Sequence, residues 1–277
     1  MGMRVATNTA AINANRNLVQ SQRNIGRSMA QLASGSRINA AADDAAGLAI
    51  SENLKSQIRS ARQAQRNAND GISLIQVAEG GMNEISNIVV RLRELAIQAA
   101  SDTVGEHERK LLNKEVTQLK SEIDRIANVT TWGTTNLLNG KGPEFEIQVG
   151  IFENPEENRI GFDASLVNMT LESLGLDELD FSSKEGAQVG LADLDNAQVI
   201  ISGERATLGA LQNRMYSTID NLSIQDENLS AANSRIRDTD VALSSSEVTR
   251  NNILLQAGTA TLAQANTMNQ LALKLIG

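Results

Sequence analysis

Few side chains in this sequence could take part in chemistry. Cysteine is absent, so the chain has neither a disulfide nor a thiolate nucleophile. The single histidine, His107, lies in the segment GEHERK, and without a second histidine this segment cannot form a zinc-protease motif. The segment GKGP at 140–143 lacks the spacing of a phosphate-binding loop. We therefore expect a protein that is not an enzyme, with no catalytic residue, cofactor or metal ion.

Charge and hydropathy argue against nucleic acids and membranes as partners. The 277-residue chain has a net charge of −8 at pH 7, which would repel nucleic acid and anionic lipid. No run approaches the roughly 18–20 apolar residues that cross a bilayer. The N-terminal residues also lack the apolar stretch of a secretory signal. We expect no membrane insertion, and export, if it occurs, without a cleaved signal peptide.

Composition favours long helices over a globular core. Aromatic residues make up only 2 % of the chain, and the two prolines, Pro143 and Pro155, leave long stretches without a helix breaker. Alanine, leucine, isoleucine and valine must form the core, which suits thin seams between helices. The predicted fold class is mainly α, with long antiparallel helical rods in a coiled-coil-like bundle and a small β region in the middle of the chain.

Heptad spacing predicts the main seam of that bundle. On the first long helix, apolar residues seven apart include Ile75, Met82 and Val89. In the second half, seven apolar residues recur at the same interval: Leu194, Ile201, Leu208, Met215, Leu222, Leu229 and Ile236. Such repeats are typical of coiled coils. We expect the 54–99 and 194–236 rods to pair in antiparallel fashion, with a third helix at 108–127 and the two chain ends side by side.

Two breaks and a short β region interrupt the helices. Gly35 is expected to end the first helix, and Asp43 and Asp44 to cap the next. Near the C-terminus, Ser244 and Glu247 have the spacing of a capping box. Between the two helical halves, Asn139-Gly140 predicts a turn, and apolar alternation predicts two strands, at 145–149 and 160–162. We expect residues 163–190 to be surface loops.

The terminal segments have too narrow an apolar stripe to be stable alone. Their apolar positions include Ile12, Ile25, Leu32, Leu255 and Leu262. Burial between two such helices does not offset an ordering cost of about 1–2 kcal/mol per residue. We expect these stripes to be buried against other copies of the chain, and a head-to-tail contact that does not close gives a helical filament. The alternative is that both ends close one intramolecular bundle.

Several long motifs resemble the bacterial flagellin family. They are LASGSRINAAADDAAGLAI at 32–50, RNANDGISLIQVAEGGMNEISNIVVRLRELAIQAASDT at 66–103, LGALQNRMYSTIDNL at 208–222 and LLQAGTATLAQAN at 254–266. The resemblance covers roughly residues 4–150 and 190–275. The short middle implies a compact form that lacks large variable outer domains.

The resemblance implies a layered filament subunit. Residues 1–42 and 245–277 would form the inner filament layer. Residues 43–140 and 191–244 would form a long-helix shell domain, and residues 141–190 a small β and loop segment attached to that shell. The implied function is polymerisation into the extracellular flagellar filament for swimming motility. Alternatives are a hook–filament junction protein, which shares the terminal pattern, and an intracellular helical coiled-coil scaffold.

The resemblance also implies contact residues and partners. On the long helix, the positions of the family's subunit-contact and immune-recognition patch are Arg91, Leu92, Arg93, Glu94 and Leu95; of these, spacing lets Arg91, Glu94 and Leu95 face outward. The joint between the inner layer and the shell would contain Arg37, Asn39, Asp43 and Asp44. Besides other copies of the chain, the implied partners are the flagellar cap, the hook-junction proteins, an export chaperone, the type III export apparatus and a host Toll-like receptor. Val90 stands where the family usually has a polar residue, which leaves the receptor's recognition open.

Overall fold

The computed structural model describes the backbone of residues 7–274 and the side chains of residues 7–267. It is mainly α-helical, as the low proline content and heptad spacing predict. The helices are α1 (Thr9–Ser34), α2 (Ala45–Ala100), α3 (Glu106–Val129), α4 (Pro155–Asn158), α5 (Leu171–Leu174), α6 (Lys184–Arg237) and α7 (Val241–Lys274). Helices α1, α2 and α3 therefore begin and end close to the predicted positions, whereas α6 and α7 begin earlier than predicted.

Two small antiparallel sheets lie between α3 and α6. Strands β1 (Thr131–Trp132) and β2 (Thr135–Asn136) form a tight hairpin that the sequence did not predict. Strands β3 (Glu144–Gln148) and β4 (Arg159–Asp163) pair with Phe145 opposite Phe162, which confirms the predicted strands. The two rings stack with their centroids 6.2 Å apart, a favourable separation for aromatic pairs.

The chain divides into two compact units. One consists of the residues up to Ile58 together with those from Glu227 onward, and the other of Arg59–Asp226. We call them the terminal unit and the central unit. In the terminal unit α1 packs along α7, so helices from the two chain ends lie side by side, as predicted.

The core of the central unit is the seam between α2 and α6. Its predicted positions on α2 are fully buried, and those on α6 from Leu194 to Leu222 are buried as well. The polar pairs that flank the seam set its direction: Arg62 with Asp226, Ser86 with Gln198 and Arg93 with Asp195. Since the α6 partner number falls as the α2 number rises, the helices are antiparallel. The remaining predicted positions, Leu229 and Ile236, belong to the terminal unit and are half-buried.

The expectation of surface loops at 163–190 was wrong. Helix α6 begins within that range, and the preceding stretch places many apolar side chains in the core: Ala164, Val167, Met169, Leu174, Leu176, Leu179 and Phe181. Close packing here depends on Gly190, because a Cβ at that position would lie 2.9 Å from a ring carbon of Phe181. An irregular backbone can turn unevenly spaced side chains inward, so this core contribution has no period to detect in the sequence.

Replacing a seam residue should strongly destabilise the central unit. Met82 is completely buried, and Met82→Ala should lower the free energy of unfolding by about 2–5 kcal/mol through lost burial and a cavity. Val199→Ala on the exposed face of α6 is the control, since that side chain is 71 % exposed and its loss should change stability by less than about 0.5 kcal/mol. Denaturant unfolding followed by circular dichroism measures both, and equal losses would contradict the assigned seam.

Candidate assembly surfaces

The helices α1 and α7 bury polar side chains where a self-sufficient pair would bury apolar ones. Ser28 is the only fully buried residue of α1, and Ser244 is the only one in the described part of α7. The hydroxyl of Ser28 donates to the carboxylate of Glu247 at 3.2 Å. Asn8 caps α1 by accepting from the backbone N–H of Ala11, and its amide donates to the carbonyl of Ala265. Polar contacts therefore contribute much of what holds this pair together.

Apolar side chains remain exposed on both terminal helices. Of the five predicted terminal-layer residues, Ile12 is 59 % exposed, and the others, Ile25, Leu32, Leu255 and Leu262, are half-buried. Further exposed residues are Val19 and Met29 on α1 and Val241, Leu243, Ile253 and Leu254 on α7. This accumulation of exposed apolar side chains makes the two terminal helices candidate interaction surfaces.

The breaks after α1 and before α7 are bonded to each other. Ser36 and Asp238 form an antiparallel bridge, in which Arg37 N–H donates to the carbonyl of Arg237 at 2.6 Å and Thr239 N–H to that of Gly35 at 3.0 Å. Gly35 has φ of 69° and ends α1, as predicted. The guanidinium of Arg37 also donates to a main-chain carbonyl of the last turn of α6. This bonded segment of the terminal unit is called the bridge below.

The other predicted joint residues shape the turn between α1 and α2. The carboxylate of Asp43 accepts from the backbone N–H groups of Asn39 and Ala40 and pairs with Arg27 at 3.3 Å. Asp44 accepts from the backbone N–H of Gly47 at 2.9 Å and so caps the start of α2. Both aspartates therefore order the turn. The predicted cap is confirmed for Asp44, whereas the expectation that Asp43 also caps α2 was wrong, because its carboxylate bonds to N–H groups before the helix.

The capping box predicted at Ser244 and Glu247 was wrong. Asp240 caps α7 instead, since its carboxylate accepts from the backbone N–H groups of Ala242 and Leu243. The hydroxyl of Ser244 instead pairs with that of Thr239, and Glu247 accepts from α1. The helix begins one turn earlier than expected because an aspartate three residues before Leu243 satisfies the same free N–H groups.

Sequence reasoning missed Arg237, the last residue of α6. Its guanidinium donates to the hydroxyl of Ser51 and pairs with Glu52. A basic residue at a helix C-terminus is a known signal for the end of a helix, but its partners lie far away in the sequence. Only the fold brings α6 and the start of α2 together.

The predicted contact patch at 91–95 divides into a buried and an exposed part. Leu92 and Leu95 are both buried, so the expectation that Leu95 faces outward was wrong; a residue three positions after a seam residue returns to the same helix face. Arg91 contacts Glu94 at 2.8 Å and Glu115 of α3 at 2.9 Å. The hydrogen bonds that its guanidinium donates to the carboxylates of Glu94 and Glu115 raise the pKa of Arg91.

Exposed apolar residues border these charges. Val90 and Ile97 are about half exposed on α2, as is Leu111 on α3. Val90 and Ile97 are seven residues apart and share a helix face with Glu94. We call Val90, Arg91, Glu94, Ile97 and Glu115 the α2 patch. Mixed charged and apolar surface of this type is common at protein interfaces.

Other kinds of site find no support among the described residues. None of their helices is long and apolar enough to cross a membrane. Within the same part of the chain, no cluster of three or more histidine, cysteine, aspartate or glutamate side chains could hold a metal ion. His107 is exposed in the first turn of α3.

These features define a class of helical structural proteins whose chain ends pair and keep apolar surface exposed. Residues 5–142 match the model of the bacterial flagellin N-terminal helical region, and residues 191–276 match that of the C-terminal helical region. The chain belongs to the bacterial flagellin family, which is a family of structural proteins.

Full-length relatives agree with this assignment. A flagellin of Halalkalibacterium halodurans is 44 % identical, with 97 % of this chain and 98 % of the relative covered. A flagellar filament core protein of Brachyspira hyodysenteriae is 41 % identical over 99 % of this chain and 100 % of its own length. A flagellin of Bacillus subtilis is 38 % identical, with the same coverage.

Solved structures show the same fold. The crystal structure of Bacillus cereus flagellin is 32 % identical with a TM-score of 0.51, covering 61 % of this chain and 94 % of that one. A putative flagellar hook-associated protein from Vibrio parahaemolyticus has a TM-score of 0.60 over 71 % of this chain and 100 % of that one. Its identity of 14 % supports a shared fold alone.

Acid titration should report the ion pair that links the end of α2 to the start of α6. Lys184 donates to both carboxylate oxygens of Asp102 and lowers the pKa of that aspartate. The stabilising effect of this ion pair is therefore fully present above the pKa that Asp102 has in the unfolded chain. It is lost as the pH falls through the lower pKa of Asp102 in the folded chain. Lys184→Met should return the pKa of Asp102 towards its ordinary value, measured by carboxyl carbon NMR.

Asp163 is the internal control for this titration. The hydroxyl and then the backbone N–H of Ser165 lower its pKa, independently of Lys184. Its midpoint should therefore stay the same in the variant. An unchanged Asp102 midpoint would show that the ion pair is not formed in solution.

Proposed function

We propose that this chain is a structural subunit of a bacterial flagellar filament and polymerises through the helices at both of its ends. The observation that carries the proposal is the terminal helix pair: among the side chains that the structure describes in α1 and α7, the fully buried ones are Ser28 and Ser244. Neighbouring copies would cover the apolar side chains that this pair leaves exposed. Self-association of family members into filaments supports the same conclusion.

The two parts of the chain would have different roles in the filament. Residues 1–42 and 245–277 would form the inner layer, where close packing of neighbouring copies excludes water from the exposed stripes. Residues 43–140 and 191–244, with the attached segment 141–190, would form the shell. The central unit has a continuous apolar core of its own, which suits a shell that folds before assembly.

The bridge and the turn before α2 would form the joint between the inner layer and the shell. Main-chain hydrogen bonds tie the two breaks together, so a change in one break must be transmitted to the other. The carboxylates of Asp43 and Asp44 order the turn on the N-terminal side. This arrangement would let both chain segments change conformation as one element.

The α2 patch would contact a neighbouring subunit. Exposed ion pairs contribute little to the stability of a monomer, whereas Val90 and Ile97 gain from burial. Charged groups beside them would set the register between copies.

Outside the polymer, the proposed partners are the filament cap, the hook-junction proteins, an export chaperone and the type III export apparatus, with export that leaves the N-terminus uncleaved. A host Toll-like receptor would have to accept Val90 at the patch.

A filament subunit fits better than the two alternatives. The named relatives that match nearly end to end are flagellins and filament core proteins, whereas the hook-associated likeness reaches only the fold. An intracellular scaffold would need terminal helices with an apolar core. Electron microscopy of purified protein distinguishes the three, because only a filament subunit should form long helical polymers.

Removal of either chain end should abolish polymerisation. We expect that deletion of residues 1–33 or of 245–277 leaves the central unit folded but prevents filament growth, because no inner layer can form. Sedimentation and electron microscopy measure the polymer, and circular dichroism checks the remaining helices. Normal growth of either truncated chain would contradict the proposal.

A bulky residue at Gly258 should also impair assembly. A Cβ at this position of α7 would lie 2.6 Å from a terminal carbon of Leu18 on α1. Gly258→Val should therefore separate the helix pair and raise the critical concentration for polymerisation by about tenfold, which corresponds to about 1.4 kcal/mol. The matched control is Gly26→Val on α1, where a Cβ meets nothing within 4 Å. An equal rise in both variants would show that helix propensity, not the close approach, is responsible.

A further inference from the structure

Asn139 and Gly140 form the one Asn-Gly pair in the sequence. This dipeptide is prone to spontaneous succinimide formation, because glycine has no side chain to hinder its amide nitrogen from reaching the asparagine carboxamide. We propose that Asn139 is a deamidation site that is protected while the chain is folded and becomes reactive when the chain is unfolded.

The reaction needs no partner other than water. The backbone nitrogen of Gly140 attacks Cγ of Asn139, and a C–N bond forms as that nitrogen loses its proton. The side-chain nitrogen takes up a proton and leaves as ammonia. Water then opens the succinimide at either of its two carbonyls, which yields aspartate or isoaspartate at position 139.

The fold engages the attacking nitrogen in a main-chain hydrogen bond. Asn139 and Asn168 form an antiparallel bridge. On one side of it, Gly140 N–H donates to the carbonyl of Val167 at 3.1 Å; on the other, Met169 N–H donates to that of Leu138 at 2.7 Å. Before it can attack, the Gly140 nitrogen must leave this hydrogen bond.

The fold also holds the carboxamide that would be attacked. Its oxygen accepts from the backbone N–H of Lys141 at 3.1 Å, and its nitrogen donates to the side-chain oxygen of Asn128 at 3.4 Å. Asn139 is only 6 % exposed, which limits access of the water that completes the reaction. Both reacting groups are therefore engaged in the folded chain.

The turn at position 140 requires glycine, which is the residue that makes Asn139 reactive. Gly140 has φ of 67°, a conformation that side chains disfavour. A Cβ there would also lie 3.0 Å from the Cβ of Asn168. A residue less reactive than glycine would strain this turn, so protection by folding takes the place of a safer sequence.

Modification should weaken the central unit. Isoaspartate adds a methylene group to the main chain at the Asn139–Asn168 pairing, which shifts Gly140 relative to Val167. The residues next to this pairing are all buried: Leu137, Leu138, Val167 and Met169. A chain modified while unfolded would therefore refold into a less stable central unit.

The test compares folded and unfolded full-length chain. Both samples are kept at one temperature in mildly alkaline buffer, one of them in guanidinium chloride, and ¹⁸O-water with peptide mass spectrometry measures deamidation. We expect the reaction at Asn139 to be about a hundredfold slower in the folded sample, because only rare local openings can react. Equal rates would overturn the protection, and an unmodified Asn139 in denaturant would overturn the site.

The chain offers controls for both parts of the proposal. Asn128 and Asn168 precede Val129 and Met169, so their larger following side chains should keep both intact in either sample. In denaturant, Gly140→Ala should slow the reaction at Asn139. Loss of Asn128 or Asn168 as fast as Asn139 would show that the following glycine is not the cause.

The consequence is tested with one of the products. Asn139→Asp places a carboxylate at a buried position and removes the donor to Asn128, so it should lower the melting temperature of the central unit. The control is Asn213→Asp at an exposed position of α6, which should leave the melting temperature unchanged. Equal melting temperatures for the two variants would overturn the predicted weakening.

Discussion

The antiparallel seam between α2 and α6 is the interaction on which the central unit depends. Its apolar residues recur every seven positions, so they stay on one face along the whole contact and exclude water from it. Helix α3 and the β region pack against the same continuous core. Ser86 and Gln198 place a hydrogen-bonded polar pair beside the seam, and such pairs select one register among several that apolar contacts alone would allow.

The terminal unit follows a different physical principle. Helices α1 and α7 lie together, yet the fully buried side chains among their described residues are serines, and isoleucines, valines and leucines remain in contact with solvent. Such a pair gains little from burial within one chain. It gains much more when other copies cover its exposed residues, so its stability depends on assembly. A flagellar filament supplies those copies, which links the weakness of the isolated pair to the function of the chain.

Periodic features could be predicted from the sequence, and features that depend on distant partners could not. The helices, the β3–β4 hairpin and the turns at Gly35 and Gly140 each have a local pattern or a glycine that marks them. Leu95 was misplaced because spacing identifies a helix face but not the full width of its buried part. The apolar residues at 164–181 were assigned to the surface because no period marks them. The Asp240 cap lies one turn before a plausible alternative at Ser244, and both positions satisfy the same capping rule.

The sequence by itself determined that the protein is helical, that its long helices pair through heptad seams, and that its ends carry narrow apolar stripes. These properties follow from the order of apolar and polar residues along a single helix. Only the tertiary structure decided which side chains meet across the chain: Arg237 with Ser51, Gly258 with Leu18 and Gly140 with Val167. These contacts join residues far apart in sequence, and they depend on how whole elements pack, which local patterns do not encode.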